Sequence, residues 1–322
     1  MRAPRGVELV DVVRSGVVES VHRGSMVLLD PDGGTRLALG VPEEPCFTRS
    51  ANKPIQAVGM VRAGLDLAGA DLALVAASHS GEPIHVDRVR ALLAARGLDE
   101  QFLACPAALP LHEPTRDALL ADGGTPARVI MSCSGKHTGM LLTCLANGWP
   151  VTGYTDPGHP LQRALRVATE ELTGELVAAV GVDGCGAPVF GYSLIGLARA
   201  FARLVTAGPG TPPRRVADAM RAHPELVGGT GRETTVLMRA VPGLLLKDGA
   251  EGVHAGALPD GSAFALKVDD GASRAGPPLV AAALRLLGVP AGAVAEFAEA
   301  PVLGGGRPVG SVRIGAVLRS LP

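Results

Sequence analysis

Aromatic side chains are scarce in this chain: one Trp, two Tyr and six Phe among 322 residues. So few rings exclude a surface that works by stacking on bases. Excess charge is missing too. Thirty-one acidic residues face 30 basic ones, for a net charge of −1, so no broad basic face awaits nucleic acid or an anionic membrane. No run approaches the roughly 18 apolar residues that a membrane-spanning helix needs. The start, Met1-Arg-Ala-Pro-Arg-Gly followed by Val7-Glu-Leu-Val-Asp, has no export-type apolar core. Five cysteines are present, Cys46, Cys105, Cys133, Cys144 and Cys185. An odd number without a leader implies reduced thiols and a cytoplasmic location. No Gly-rich dinucleotide loop follows a strand, and Gly135-Lys136 precedes His137 rather than the Ser or Thr of a phosphate loop.

Lysine is the most telling shortage. Only Lys53, Lys136, Lys247 and Lys267 occur, against 30 Lys and Arg together. Arginine serves where this chain needs a surface cation, so each remaining lysine is a candidate for chemistry that Arg cannot perform. A buried amine can lose its proton and act as a base; a guanidinium cannot.

What is present reads as one globular domain over residues 1–322, with 47% apolar residues to build its core. The first forty residues have a β pattern: Val17-Glu-Ser-Val, Ser25-Met-Val-Leu-Leu and, after the turn Asp30-Pro-Asp-Gly-Gly, Thr35-Arg-Leu-Ala-Leu. A helical middle, 51–222, follows, with helices expected at 51–64, 84–96, 114–121, 139–147, 159–173, 189–206 and 213–222. The end returns to strands around Val241–Lys247, 253–258, 263–268 and 308–318, with a hairpin turn at Pro259-Asp-Gly-Ser and a helix at 278–287. Strands at both ends with helices between predict an α+β fold, its antiparallel sheet joining the termini and covered by helices.

Five stretches carry reactive groups. In Arg49-Ser50-Ala-Asn-Lys53-Pro54, a helix starting near Ser50 puts Lys53 one turn on, on the same face. There an amine can take the serine proton, while the helix start favours an alkoxide. A plain helix start is the competing reading. Ala77-Ser78-His79-Ser80-Gly81-Glu82 either approaches a ligand or caps the helix that follows, with Ser80 or Glu82 on its amides. Ser132-Cys133-Ser134-Gly135-Lys136-His137-Thr138-Gly139 places Cys133 and Lys136 three apart. Gly181-Val-Asp183-Gly184-Cys185-Gly186-Ala-Pro188 exposes a cysteine between glycines, and Pro188 is expected to open the next helix. The spacing of these cysteines is not that of a zinc finger, so on spacing alone they read as buried thiols. Lys247-Asp-Gly-Ala-Glu-Gly resembles the Lys-Thr-Gly element opposite Ser-x-x-Lys in penicillin-recognising enzymes, with Lys267-Val-Asp-Asp-Gly as its competitor.

Together and in this order, these motifs resemble those of the thermolabile-type, rhizobial class 3 L-asparaginases, the asparaginase II family, over roughly residues 8–320. The resemblance implies a fold like serine β-lactamases and glutaminases, a homodimer, and hydrolysis of L-asparagine to L-aspartate and ammonia. It implies a Ser50–Lys53 pair with Ser78 hydrogen-bonded nearby, and Lys247, favoured over Lys267, as the late lysine. Cys133, Lys136 and Cys185 would match the family's zinc site, with His137 and Asp183 in or behind the pocket and Arg49 anchoring substrate or a neighbouring carboxylate. Two other readings stand beside it: another Ser–Lys hydrolase, acting on glutamine or a β-lactam, and a non-enzymatic zinc-binding protein on the same fold. One methylene separates glutamine from asparagine, worth only about 1–3 kcal/mol in a pocket. Ammonia release from asparagine, glutamine and a β-lactam separates the three.

Overall fold

The computed structural model describes residues 6–321. Met1–Arg5, which enter the reading of the chain's start, and Pro322 lie outside the described residues. The chain gathers into two compact units. One holds the residues up to Ala51, Gly191–Thr206 and those from Leu237 on; the other holds Asn52–Phe190 and Ala207–Val236.

The first unit is built on an antiparallel sheet. Its strands are β1 (Val7–Arg14), β2 (Val17–Leu29), β3 (Thr35–Leu39), β4 (Leu245–Gly249), β5 (Val253–Ala257), β6 (Ala263–Val268), β7 (Glu299–Gly304) and β8 (Arg307–Ile314). Their order is β7-β8-β1-β2-β6-β5-β4, with β3 also on β2. The first strand and the last one are neighbours, Val10 opposite Ile314. The sheet therefore joins the two ends of the chain, as the pattern of strands foretold. Valines and leucines dominate β1 and the second half of β2, and Met26–Leu29 are buried on both faces. The turn Pro259-Asp-Gly-Ser joins β5 to β6, with Ser262 N–H donating to Asp260 Oδ1 at 2.9 Å and Gly261 at φ +98°. Two helices cover the sheet: Leu194–Thr206 packs on β2, β5 and β6, and Gly276–Leu286 packs on β1, β7 and β8. This is the α+β architecture expected.

The second unit is mainly helical. Its helices include α1 (Lys53–Arg62), α2 (Gly69–Val75), α3 (Pro83–Ala94), α4 (Glu113–Ala121), α5 (Ser134–Ala146) and α6 (Pro160–Thr173). Glycines set how closely they pack. A Cβ on Gly135 would lie 2.4 Å from the Leu74 carbonyl oxygen, and one on Gly139 would lie 2.5 Å from Val75 Cγ1. Four residues apart, these two share a face, so α5 closes onto α2 along a bare strip. At α3, Glu82 is the N-cap and its backbone N–H donates to His85 Nδ1, a reciprocal cap.

Pro188 does not open a helix, contrary to its reading from sequence. It begins a strand, Pro188–Tyr192, and the helix waits until Leu194. With Val189, Phe190 and Tyr192 the segment is aromatic and β-branched, a composition that favours extended backbone over a first helical turn.

His79 and His85 stack with ring centroids 4.9 Å apart and planes 12° apart. Both are fully buried. Burial, then His85 and Lys53, hold His79 well below its ordinary pKa, and burial holds His85 below its own. Unfolding returns both to about 6.5, so below that pH the unfolded chain binds the extra protons. Stability should be fully present above that value and fall as pH drops through it, by up to about 1.4 kcal/mol per pH unit for each ring. Urea midpoints at about pH 7.5 and about pH 5 read this, and equal midpoints would show that the stack accepts protons without unfolding. The helix seam gives a second expectation. Gly139→Ala should cost about 1–3 kcal/mol by overpacking against Val75. An unshifted urea midpoint would mean that α5 can back away from α2.

Candidate functional site

Arg49–Asn52 form a 3-10 turn that runs directly into α1 at Lys53, and Pro54 sits in the first helical turn, where a missing N–H is tolerated. The sequence therefore placed the helix start within three residues. Arg49 has φ +50°, a left-handed conformation rare for a residue with a side chain. Its Nη1 lies 3.8 Å from Glu251 Oε1, so the carboxylate that it meets is the protein's own. Ser50 is half-buried.

The end of β4 packs against this turn inside the sheet unit. A Cβ on Gly249 would come within 2.9 Å of the Thr48 carbonyl oxygen and 3.3 Å of Ser50 N. Only glycine allows that approach, which accounts for the Lys-Asp-Gly order. Lys247, two residues earlier, is wholly buried, and its Nζ donates to the Asp248 carbonyl at 2.7 Å and to Asp248 Oδ1 at 2.6 Å. Lys267 is half-buried and ties down the preceding turn through Glu251 O at 2.8 Å and Val268 O at 3.0 Å. The two candidate late lysines thus differ in kind.

In the helical unit, Lys53 projects from α1 with 1% exposure. Its Nζ donates to the Ala77 carbonyl at 2.6 Å and to Ser78 Oγ at 2.8 Å. The loop that presents Ser78 is fixed at both sides: Ser78 N–H donates to Val227 O, and His79 N–H to Ser132 O. Further along it, Ser80 Oγ donates to Gly228 O at 2.8 Å, while Glu82 takes the backbone N–H and the hydroxyl of Thr230 at 2.8 and 2.6 Å.

Cys133 sits at the N-cap of α5, Lys136 in its first turn, and Cys185 in the turn before the Pro188 strand. All three are buried. Lys136 Nζ is 3.1 Å from Cys185 Sγ. A hydrogen bond from Cys133, together with the Lys136 charge, holds the Cys185 thiol down at about 4 although burial opposes this. The same hydrogen bond and burial push Cys133 up to about 12. Burial acts to lower the Lys136 pKa, but the Cys185 and Cys133 sulfurs outweigh it and the amine is held charged. Two sulfurs and an amine therefore converge, far apart in sequence and adjacent in space. To fill three positions of a tetrahedral zinc ion, Lys136 would have to lose its proton and both thiols ionise, since an ammonium has no lone pair to give. Among the described residues, no group of three or more His, Cys, Asp or Glu side chains is arranged to hold a metal, so any such site depends on the lysine.

His137 follows on α5, buried, and burial and then Lys136 push it down to about 3. Its Nδ1 is 2.7 Å from Tyr154 Oη. Asp183 is half-buried, and its carboxylate oxygen lies 4.0 Å from Cys185 Sγ while its other oxygen accepts from Gly184 N–H at 2.9 Å. Two residues of this neighbourhood were not singled out from sequence. Tyr154 holds His137, and the buried Cys105 thiol is pushed up to about 12 by burial and then by Cys133 and Cys185. That Tyr154 is one of only two tyrosines was the one signal available; Cys105, without flanking glycines, offered none.

No curated protein matches the chain. Among solved structures it is similar to EstCE1, a hydrolase with promiscuous acyltransferase activity, at 14% identity and a TM-score of 0.37, over 83% of this chain and 90% of that one. The family model of L-asparaginase II matches residues 10–314, nearly every position that carries a motif or a strand of the sheet. The chain belongs to the L-asparaginase II family, a family of amide-hydrolysing enzymes.

Proposed function

We propose that the protein hydrolyses L-asparagine to L-aspartate and ammonia by nucleophilic serine catalysis assisted by Lys53. The observation that carries this reading is the buried Lys53 amine, 2.8 Å from the Ser78 hydroxyl and one helical turn after Ser50, in a chain with four lysines. A carboxamide needs a nucleophile, a proton carrier for the departing ammonia and donors for the oxyanion. Ser50 attacks the amide carbon while Lys53 receives the serine proton. The tetrahedral intermediate collapses as that proton passes to the leaving nitrogen, releasing ammonia and an aspartyl ester. Backbone N–H groups at the helix start stabilise the oxyanion. Water, deprotonated by the same lysine, then cleaves the ester. Lys247 is the second amine of the proposal, supported by its burial and by the packing of its strand end on the Ser50 turn. Arg49, His137 and Asp183 contribute to substrate binding.

The Lys53–Ser78 contact supports a second assignment, in which Ser78 is acylated and Ser50 assists. Mass spectrometry of the acyl-enzyme, trapped by rapid acid quench, decides between them. The reaction itself is tested by ammonia release. Lys53→Ala should abolish turnover without unfolding the protein, and Lys53→Arg should fail as well, since arginine cannot give up its proton. Near-normal rates in Lys53→Arg would remove Lys53 from the role of base. Asparagine should be turned over at least about tenfold better than glutamine, the discrimination that one methylene provides. Equal rates would assign a broader amidase, and a β-lactam hydrolysed in their place a different Ser–Lys hydrolase.

Cys133, Lys136 and Cys185 would hold a zinc ion, which when bound would fix the two thiolates and a neutral amine beside the pocket. Support comes from the convergence of the three groups and the thiolate character of Cys185. Elemental analysis of protein purified without chelator should find zinc, and Cys133→Ser should reduce it. Zinc-free protein whose activity is indifferent to Cys133→Ser would make these cysteines structural thiols. The proposed setting is a cytoplasmic homodimer: five free cysteines support a reducing compartment, and the dimer is what the resemblance to the family implies.

A further inference from the structure

Tyr154 is 2% exposed and lies outside every motif that the sequence offers. Its Oη accepts the Ala104 N–H at 2.8 Å and sits 2.7 Å from His137 Nδ1. A phenol has one proton to give. With Ala104 donating to the oxygen, that proton has one acceptor in reach among the described residues, His137 Nδ1. The opposite arrangement, Nδ1–H donating to the phenol, would strand the phenolic proton in a buried site. The imidazole therefore carries its proton on Nε2. That nitrogen is buried and has no hydrogen-bond partner among the described residues. An unpaired buried N–H is costly, about 1–3 kcal/mol, and its partner is expected from outside the protein. Lys53, Lys136, Cys133 and Asp183 all act electrostatically on this ring, which places it among the groups already assigned to the site.

We propose that Tyr154 is a positioning residue that fixes His137 in the Nε2–H tautomer, so that the ring presents one permanent donor to an oxygen of the bound substrate. The proposal rests on the amidohydrolase reading. A permanent donor admits a carboxylate or carbonyl oxygen at that point and rejects an ammonium or amide N–H. Asparagine carries both kinds of group at each end, so a fixed donor selects the oxygen over the nitrogen at the end that meets the ring. A histidine free to exchange tautomers would accept either atom.

Nitrogen-15 NMR of histidine-labelled wild-type protein reads the tautomer directly. It should show His137 with a protonated Nε2 and an unprotonated Nδ1; an Nδ1–H ring would overturn the proposal. Tyr154→Phe should mix the tautomers and raise KM for asparagine about tenfold with kcat changed less than about twofold, the signature of lost binding rather than lost chemistry. A double substitution separates positioning from mere structure. In His137→Gln the side-chain amide places an N–H near the Nε2 position and has no tautomer to fix, so adding Tyr154→Phe should then leave KM unchanged. If Tyr154→Phe raises KM equally in both backgrounds, the tyrosine only supports the fold and the proposal fails. Tautomer and turnover are read separately: absence of any amide turnover would sink the amidohydrolase reading, whereas an Nδ1–H ring would sink the tautomer lock.

Discussion

Lys53, Lys136 and Lys247 are each exposed by 1% or less, and much of this structure follows from keeping three amines out of water. An ammonium stripped of solvent without compensation is strongly unfavourable, so each must find acceptors or lose its proton. Each finds a different answer. Lys53 is met by a carbonyl and a serine hydroxyl, Lys136 by a thiolate, Lys247 by the carbonyl and carboxylate of Asp248. Those partners are then fixed in turn. The Ala77-Ser78 loop is pinned by Val227 and Ser132, Cys185 is held by its turn, and the end of β4 is seated by Gly249. The shells around the three amines account for most of the chain's motif-like stretches.

The fold was legible wherever local pattern and tertiary structure agreed. The end strands, the Pro259–Ser262 hairpin and the helices near 84–96, 159–173 and 213–222 stand within a few residues of their expected places. Disagreements have physical sources. The helix expected from residue 139 begins at Ser134, because the small polar residues of Ser-Gly-Lys-His-Thr hide a helical turn that packs by its glycines rather than by apolar side chains. Gly69–Val75 was not among the expected helices, since seven residues buried along their second half show no period. Val17–Leu29 looked like two strands because the first half of β2 is exposed and the second is buried, although the backbone is continuous.

The site was legible as residue types and less so as partnerships. Scarcity pointed to the lysines, and glycine-flanked turns pointed to Cys133 and Cys185. Nothing in the spacing of residues 136 and 185 told that their side chains meet at 3.1 Å; that contact is tertiary. Likewise Ser78 was one hydroxyl in a loop with a capping alternative; Glu82 of that loop caps the helix, and Ser78 meets Lys53 at 2.8 Å. Glycine was the most ambiguous letter. Gly135 sits in the middle of the reactive stretch, yet its missing side chain serves the packing of α5 on α2.

The pairing of β1 with β8 has a bearing on how the protein is made. A chain grows from its N-terminus, so β1 leaves the ribosome long before one of its two flanking partners, residues 307–314. Until then β1 has one open edge, a row of unpaired backbone groups ready to pair with another chain. The helical unit, by contrast, draws chiefly on the continuous stretch Asn52–Phe190 and has most of its residues available well before residues 307–314 are made. Completion of the sheet is thus a late, long-range event of the kind that is slow and exposed to aggregation. The open edge of that nascent strand is a hazard set by topology, separate from anything at the site.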